Sequence, residues 1–301
     1  AVTYIVQRMA SMAAMFYVWS FLCYIKGRTS GGGKRWGYLM LSLVLFLHAL
    51  GTKQNTVTLP FMILLYEVAF FRKGPFNILE KRFCISVLAG VSMVAGYLYI
   101  FRESFDLPAY FGMEYGVRER LFTEARVATE HYLPTLFFPI PSRLALIHDF
   151  PLSRGLLSPF TTLPSVLFIA SAMALSFYKL RKAPVISFFA LWFFINLIPE
   201  SILAGLDLIH DHRLYLPSIG FYAVVAWVAV RIWEAGRWRR LSVGLIVLAL
   251  AFFSINTFDR NRVWHDEMSL WSDNIKKAPE LSASHEGLGI AYLKEGELEK
   301  A

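Results

Sequence analysis

Apolar residues recur along this chain in runs long enough to cross a bilayer, separated by short clusters of charge. The runs are Tyr4 to Ile25, Trp36 to Gly51, Thr56 to Phe71, Arg82 to Phe101, Thr161 to Tyr178, Val185 to Leu206, Leu214 to Trp233 and Leu241 to Phe258. About 20 apolar residues at 1.5 Å per residue span the hydrocarbon core, so each run predicts a transmembrane helix. The expected fold is all-α, a polytopic bundle of about eight spans. Several runs are short and carry polar residues, among them Gln7, Arg8, His48, Glu67 and Asn196, which predicts contacts between packed helices rather than lone spans.

The loops set an orientation. Lys26, Arg28, Lys34 and Arg35 fill the first loop, with a flexible Ser30-Gly31-Gly32-Gly33 tip. Arg72, Lys73, Lys81 and Arg82, then Lys179, Arg181 and Lys182, then Arg231, Arg237, Arg239 and Arg240 fall on the same face when spans alternate. Basic loops face the cytoplasm, so the intervening loops and everything after Phe258 are expected outside it. Apart from Glu67, Glu80 and Glu234, every Asp and Glu lands at or beyond that outer face. The same parity keeps 102–160 from crossing. An amphipathic helix from Val117 to His131 is predicted there, its Arg118, Arg120, Arg126, Glu119, Glu124 and Glu130 read mostly as a solvated face. His131 to Ile147, broken by Pro134, Pro139 and Pro141, is expected to lie in the interface.

Composition agrees with a membrane protein: 56% of the 301 residues are hydrophobic and 16% aromatic. The net charge of +8 does not point to nucleic acid, because half of the 30 Lys and Arg sit in those four loops. Cys23 and Cys84 lie in apolar runs and form neither a disulfide framework nor a metal spacing. The chain opens at Ala1 with no signal-peptide pattern and closes inside a helical pattern, so it is expected to be an internal piece.

The stretch 196–222, NLIPESILAGLDLIHDHRLYLPSIGFY, concentrates charge between two apolar runs. Glu200, Asp207, His210, Asp211, His212 and Arg213 would each cost about 2.5–3.5 kcal/mol at the centre of a span, so they belong at an aqueous face or in a polar cavity. After the last span, Asn261 to Lys277 reads as one helix stopped by Pro279. Leu288-Gly289, Tyr292, Gly296 and Ala301 then fit the tetratricopeptide spacing L-G-x-x-Y-x-x-x-G-x-x-x-x-A. Two domains are expected: a membrane domain over 1–259, and from 260–301 the beginning of an extracytoplasmic repeat array.

Four segments, AVTYIVQR at Ala1 to Arg8, TKQNTVTLPFMILLYE at Thr52 to Glu67, HDHRLYLPSIGF at His210 to Phe221, and RVWHDEMSLW before the repeat, carry a resemblance. The chain resembles membrane proteins with a GT-C glycosyltransferase-like N-terminal half and C-terminal tetratricopeptide repeats, similar to the transmembrane-and-tetratricopeptide O-mannosyltransferases and their bacterial counterparts. The resemblance implies a bacterial inner-membrane location and transfer of a mannose-like sugar from a polyprenyl-phosphate donor to an extracytoplasmic acceptor, often a protein or peptide held by the repeats. It places the catalytic acidic pair upstream of Ala1, leaving the catalytic residues of this chain unknown. Where the family shows a Lys-Glu pair, this chain has Lys53-Gln54.

For such a donor, cationic groups should stabilise the departing phosphate. Arg213 stands at a helix start, where the guanidinium fork and free N–H groups suit an anion, but an ion pair with Asp207 or Asp211 fits equally well. Lys53 and Arg126 are further phosphate candidates, with His210, His212 and Asp211 beside them. His210, His212, Asp207 and Asp211 offer metal-type groups, but their spacing is not a ligand pattern, and no metal site is assigned. The competing class is a non-enzymatic membrane anchor whose repeats scaffold protein assemblies.

Overall fold

The computed structural model describes residues 8–71, Gly96, 115–202, 208–236 and 239–300. Among them the protein is all-α, with no named strand. The helices are α1 (Arg8–Thr29), α2 (Gly32–Thr52), α3 (Leu59–Tyr66), α4 (Val117–Arg126), α5 (Leu133–Phe137), α6 (Thr162–Lys179), α7 (Pro184–Ile202), α8 (Pro217–Glu234), α9 (Arg239–Val263), α10 (Glu267–Lys277) and α11 (Ser282–Glu295). A 3-10 segment, Gln54–Thr58, leads into α3, and α3 and α4 run on as π-helical turns over Glu67–Phe71 and Val127–Tyr132.

Among the described residues, five segments are long and apolar enough to cross a membrane: Arg8–Thr29, Gln54–Phe71, Thr162–Lys179, Pro184–Ser201 and Arg239–Val263. The expected span Arg82 to Phe101 lies outside the described residues apart from Gly96. Leu245, Leu248, Leu250, Ile255 and Phe258 on α9 stand exposed, an apolar surface that water would not tolerate and lipid would cover.

Packing holds the polar spans to one another. α1 and α2 form an antiparallel hairpin in which Ser20 Oγ donates to the Ser42 carbonyl at 2.7 Å and Ser42 Oγ donates to the Ser20 carbonyl at 2.8 Å. Small residues Ala10, Ala13 and Ala14 are buried on α1 beside Tyr17, which lets the helices approach closely. Glu67 accepts from Tyr24 Oη at 2.7 Å and Arg28 Nε at 2.9 Å, and Asn196 Oδ1 accepts from Thr58 Oγ1 at 2.5 Å. Glu67 and Asn196 thus make the interhelical contacts expected of them, whereas His48 Nδ1 turns back to the Val44 carbonyl of its own helix at 2.8 Å, and Gln7 lies outside the described residues. Tyr17, Phe21, Met62, Phe188, Leu191 and Trp192 form one core cluster. α7 and α8 cross tightly at Gly220, where a Cβ would lie 2.5 Å from the Phe189 carbonyl oxygen.

Two expectations need correction. Asn261 to Lys277 is not one helix: α9 ends at Val263 and α10 starts anew at Glu267. Asp266 caps it, accepting the Ser269 N–H at 2.6 Å, a local bond that competes with continuing the helix. The helix beginning at Val117 is present, but of its six charges Arg118 alone is fully exposed and Glu119 and Glu130 are half-buried. Arg120, Glu124 and Arg126 are all buried, because this face packs against α7, the 208–214 segment and the loop at 151–161.

Candidate functional site

The first polar centre is ionic. Lys53, between α2 and the 3-10 turn, places Nζ 2.5 Å from Glu200 Oε1 near the end of α7. Arg213, in the 3-10 turn Asp211–Leu214, lies 3.6 Å from both Glu200 Oε2 and Glu124 Oε1, and its Nη1 donates to the Leu208 carbonyl at 3.0 Å. Arg120 reaches the same Glu124 oxygen at 3.5 Å and donates from Nε to the Ser201 carbonyl at 3.1 Å. Ser201 Oγ completes the set with a 3.2 Å bond to Glu124 Oε2.

Taking such charges out of water is expensive, and removing one partner of a buried pair costs about 3–5 kcal/mol because the other is stranded. Desolvation pushes the Glu124 carboxyl up to about 7, against the lowering pull of Arg213 and Arg120. Lys53 is less well served than its neighbours. Its Nζ is buried and ion-paired to Glu200, yet makes no hydrogen bond of good geometry among the described residues.

The second centre adjoins the first through the same turn. His131 Nε2, from the π-helical turn after α4, lies 2.9 Å from Asp211 Oδ1. His148 Nε2, from the 144–150 loop, lies 3.2 Å from that same oxygen, and the two imidazole rings are 4.4 Å apart, edge to face. Burial alone would raise the Asp211 carboxyl, but the two histidines hold it well below the usual carboxylate range. His212 stacks on His210 with centroids 4.9 Å apart, and desolvation followed by the nearby Lys53 charge depresses its imidazole to about 3.

Lys53, His210, Asp211, His212 and Arg213 are thus brought to one region by α2, α7 and the 208–214 segment. Asp211 pairs with His131 and His148, and Glu124 and Glu200 stand among the carboxylates facing Arg213. Asp207 lies outside the described residues. Arg126 sits elsewhere as a structural bracket. It holds Glu130 in a two-pronged bond at 3.1 and 3.2 Å, donates to Thr161 Oγ1 and the Pro151 carbonyl, each at 2.9 Å, and covers the Phe150 ring.

Arg120, Glu124, His131 and His148 join these centres without being marked as site residues by their local sequence. Arg120, Glu124 and His131 recur at i, i+4 and i+11 along one stretch of helix, so one face presents a cation, a carboxylate and an imidazole in register with the 208–214 segment. That spacing was the available signal. His148 carried none.

Compared with protein-family models, with curated proteins and with solved structures, the chain matches none of them.

Proposed function

We propose that this chain is the membrane part of a glycosyltransferase that binds a polyprenyl-phosphate sugar donor at the ionic centre and passes the sugar to an extracytoplasmic acceptor. The observation that carries this reading is Lys53, a buried ammonium with donors to spare beside Arg213 and Glu200. Ionisable groups inside a membrane protein are costly and by default mark a substrate or ion path. A phosphate oxygen would add an acceptor for Lys53 beside Glu200 Oε1, and Arg213 and Lys53 together would stabilise the charge left as the sugar departs.

Orientation supports this assignment. Lys53 follows α2 at the end opposite the Lys34–Arg35 cluster, Glu200 lies at the end of α7 opposite Lys182, and Arg213 precedes α8 at the end opposite Arg231. If basic ends face the cytoplasm in an eight-span arrangement, the ionic centre faces the other side, where a flipped lipid donor presents its phosphate. α10 and α11 pair closely, with a Cβ at Gly287 only 2.3 Å from the Trp271 ring, as the first hairpin of a tetratricopeptide-like array would.

The test is sugar transfer in membranes carrying the full-length protein, supplied with labelled polyprenyl-phosphate hexose and normalised to folded protein. Arg213→Ala should lower transfer roughly a hundredfold to a thousandfold, the usual loss for one positioned donor at a developing anion. Arg213→Lys should be intermediate, because it keeps the charge but loses the fork. Arg118→Ala, on an exposed residue, should change little. Normalised transfer unchanged in Arg213→Ala would overturn the phosphate role and leave Arg213 a structural counter-ion.

A further inference from the structure

We propose that His131, His148 and Asp211 form a binding site for one divalent transition-metal ion of the zinc class. Their ligand atoms all lie within 4.8 Å of one another, and both imidazole Nε2 atoms converge on the single oxygen Asp211 Oδ1, at 2.9 and 3.2 Å. Bonds of about 2.0–2.2 Å to imidazole and carboxylate place neighbouring ligand atoms roughly 3.0–3.5 Å apart, so these separations need little adjustment to admit an ion.

A hydrogen-bonded His-Asp pair would explain His131 alone. It does not explain His148. That side chain is nine-tenths buried, and its Nε2 is aimed at the same Asp211 oxygen without forming a hydrogen bond of good geometry to any described residue. Burying a ring nitrogen with only a poorly aligned contact is costly, and a metal ion between the three groups would give it a directed bond. The donor set is also selective. Two neutral imidazoles and one carboxylate suit zinc, iron or cobalt, whereas magnesium and calcium favour oxygen ligands throughout.

The positions of the ligands make the site a clasp. His131 lies in the π-helical turn after α4, Asp211 opens the turn that holds Arg213, and His148 lies in a loop tied to α10. A bound ion would therefore fix the 208–214 segment against both α4 and the helical hairpin. Three protein ligands leave at least one coordination position for water or another oxygen ligand.

The experiment is metal titration of the chelator-stripped protein in detergent, with Zn2+ followed by calorimetry and Co2+ followed by visible absorption. One equivalent should bind, with d–d bands showing nitrogen and oxygen ligation. His148→Gln and Asp211→Asn should each weaken binding at least tenfold, while His285→Ala, an exposed histidine on α11, should leave it unchanged. Melting temperatures of the stripped variants check that each is folded, and Zn2+ should raise the wild-type melting temperature but not that of Asp211→Asn. No saturable binding by the folded wild type would overturn the proposal. So would binding that His148→Gln and Asp211→Asn leave intact.

Discussion

The side-chain carbonyl of Asn274 accepts the backbone N–H of Leu146 at 2.8 Å, and it also accepts that of Ile147 at 3.0 Å. Asn274 is fully buried on α10, its amide nitrogen donates to Ser284 Oγ on α11 at 2.8 Å, and Lys277 adds a 2.8 Å bond to the Leu144 carbonyl. One side chain therefore ties the C-terminal hairpin together and docks it on the loop that carries His148. Replacing it by alanine leaves two backbone donors and a hydroxyl without their partner, at an expected cost of about 1–3 kcal/mol. Asn274→Ala should speed hydrogen exchange at the Leu146 and Ile147 amides well before global unfolding. Exchange unchanged at both would show that the hairpin does not hold the loop.

The α10–α11 pair depends on a missing side chain. Because a Cβ at Gly287 would meet the Trp271 indole at 2.3 Å, Gly287→Ala forces the helices apart and should destabilise the protein by about 1–3 kcal/mol. A smaller partner relieves the clash. The double variant Trp271→Leu, Gly287→Ala should lose less stability than the two single losses added together, as thermal melts of all four proteins would show.

Acidity should act through Glu124. Its carboxyl titrates near 7 in the folded protein against an ordinary 4.5, so the folded state binds a proton more tightly than the unfolded chain. The stability this contributes is fully present below about pH 4.5 and is lost as pH rises through about 7. Glu124→Gln, which cannot titrate, should flatten the dependence of melting temperature on pH across that window. A slope equal to the wild type would assign the titration to another group.

Much of the helical framework could be read from the chain, because a span announces itself by local composition. Thr162–Lys179 and Pro184–Ile202 begin within a residue of the apolar runs that predict them. The α9–α10 break was missed although its signal is local: Asp266 followed by Ser269 is a capping pair, overshadowed by the apolar spacing of Trp264 and Trp271. The site was harder to read for a different reason. Glu124 and Arg213 meet across 89 positions, and Arg120 and Ser201 across 81, so nothing local distinguishes a buried charge on the Val117 helix from a solvated one. His148 is the extreme case, a loop histidine given meaning only by His131 and Asp211.

If the ionic centre receives a lipid phosphate at Lys53, polyprenyl phosphate should bind the full-length protein in nanodiscs with an equilibrium affinity that depends on that side chain. A charge-assisted bond contributes about 1.5–3 kcal/mol, so Lys53→Ala should weaken binding roughly tenfold to a hundredfold. Uncharged polyprenol should bind far more weakly than its phosphate. Equal affinity for polyprenol and polyprenyl phosphate, or equal phosphate affinity in wild type and folded Lys53→Ala, would rule out a lipid-phosphate role for Lys53.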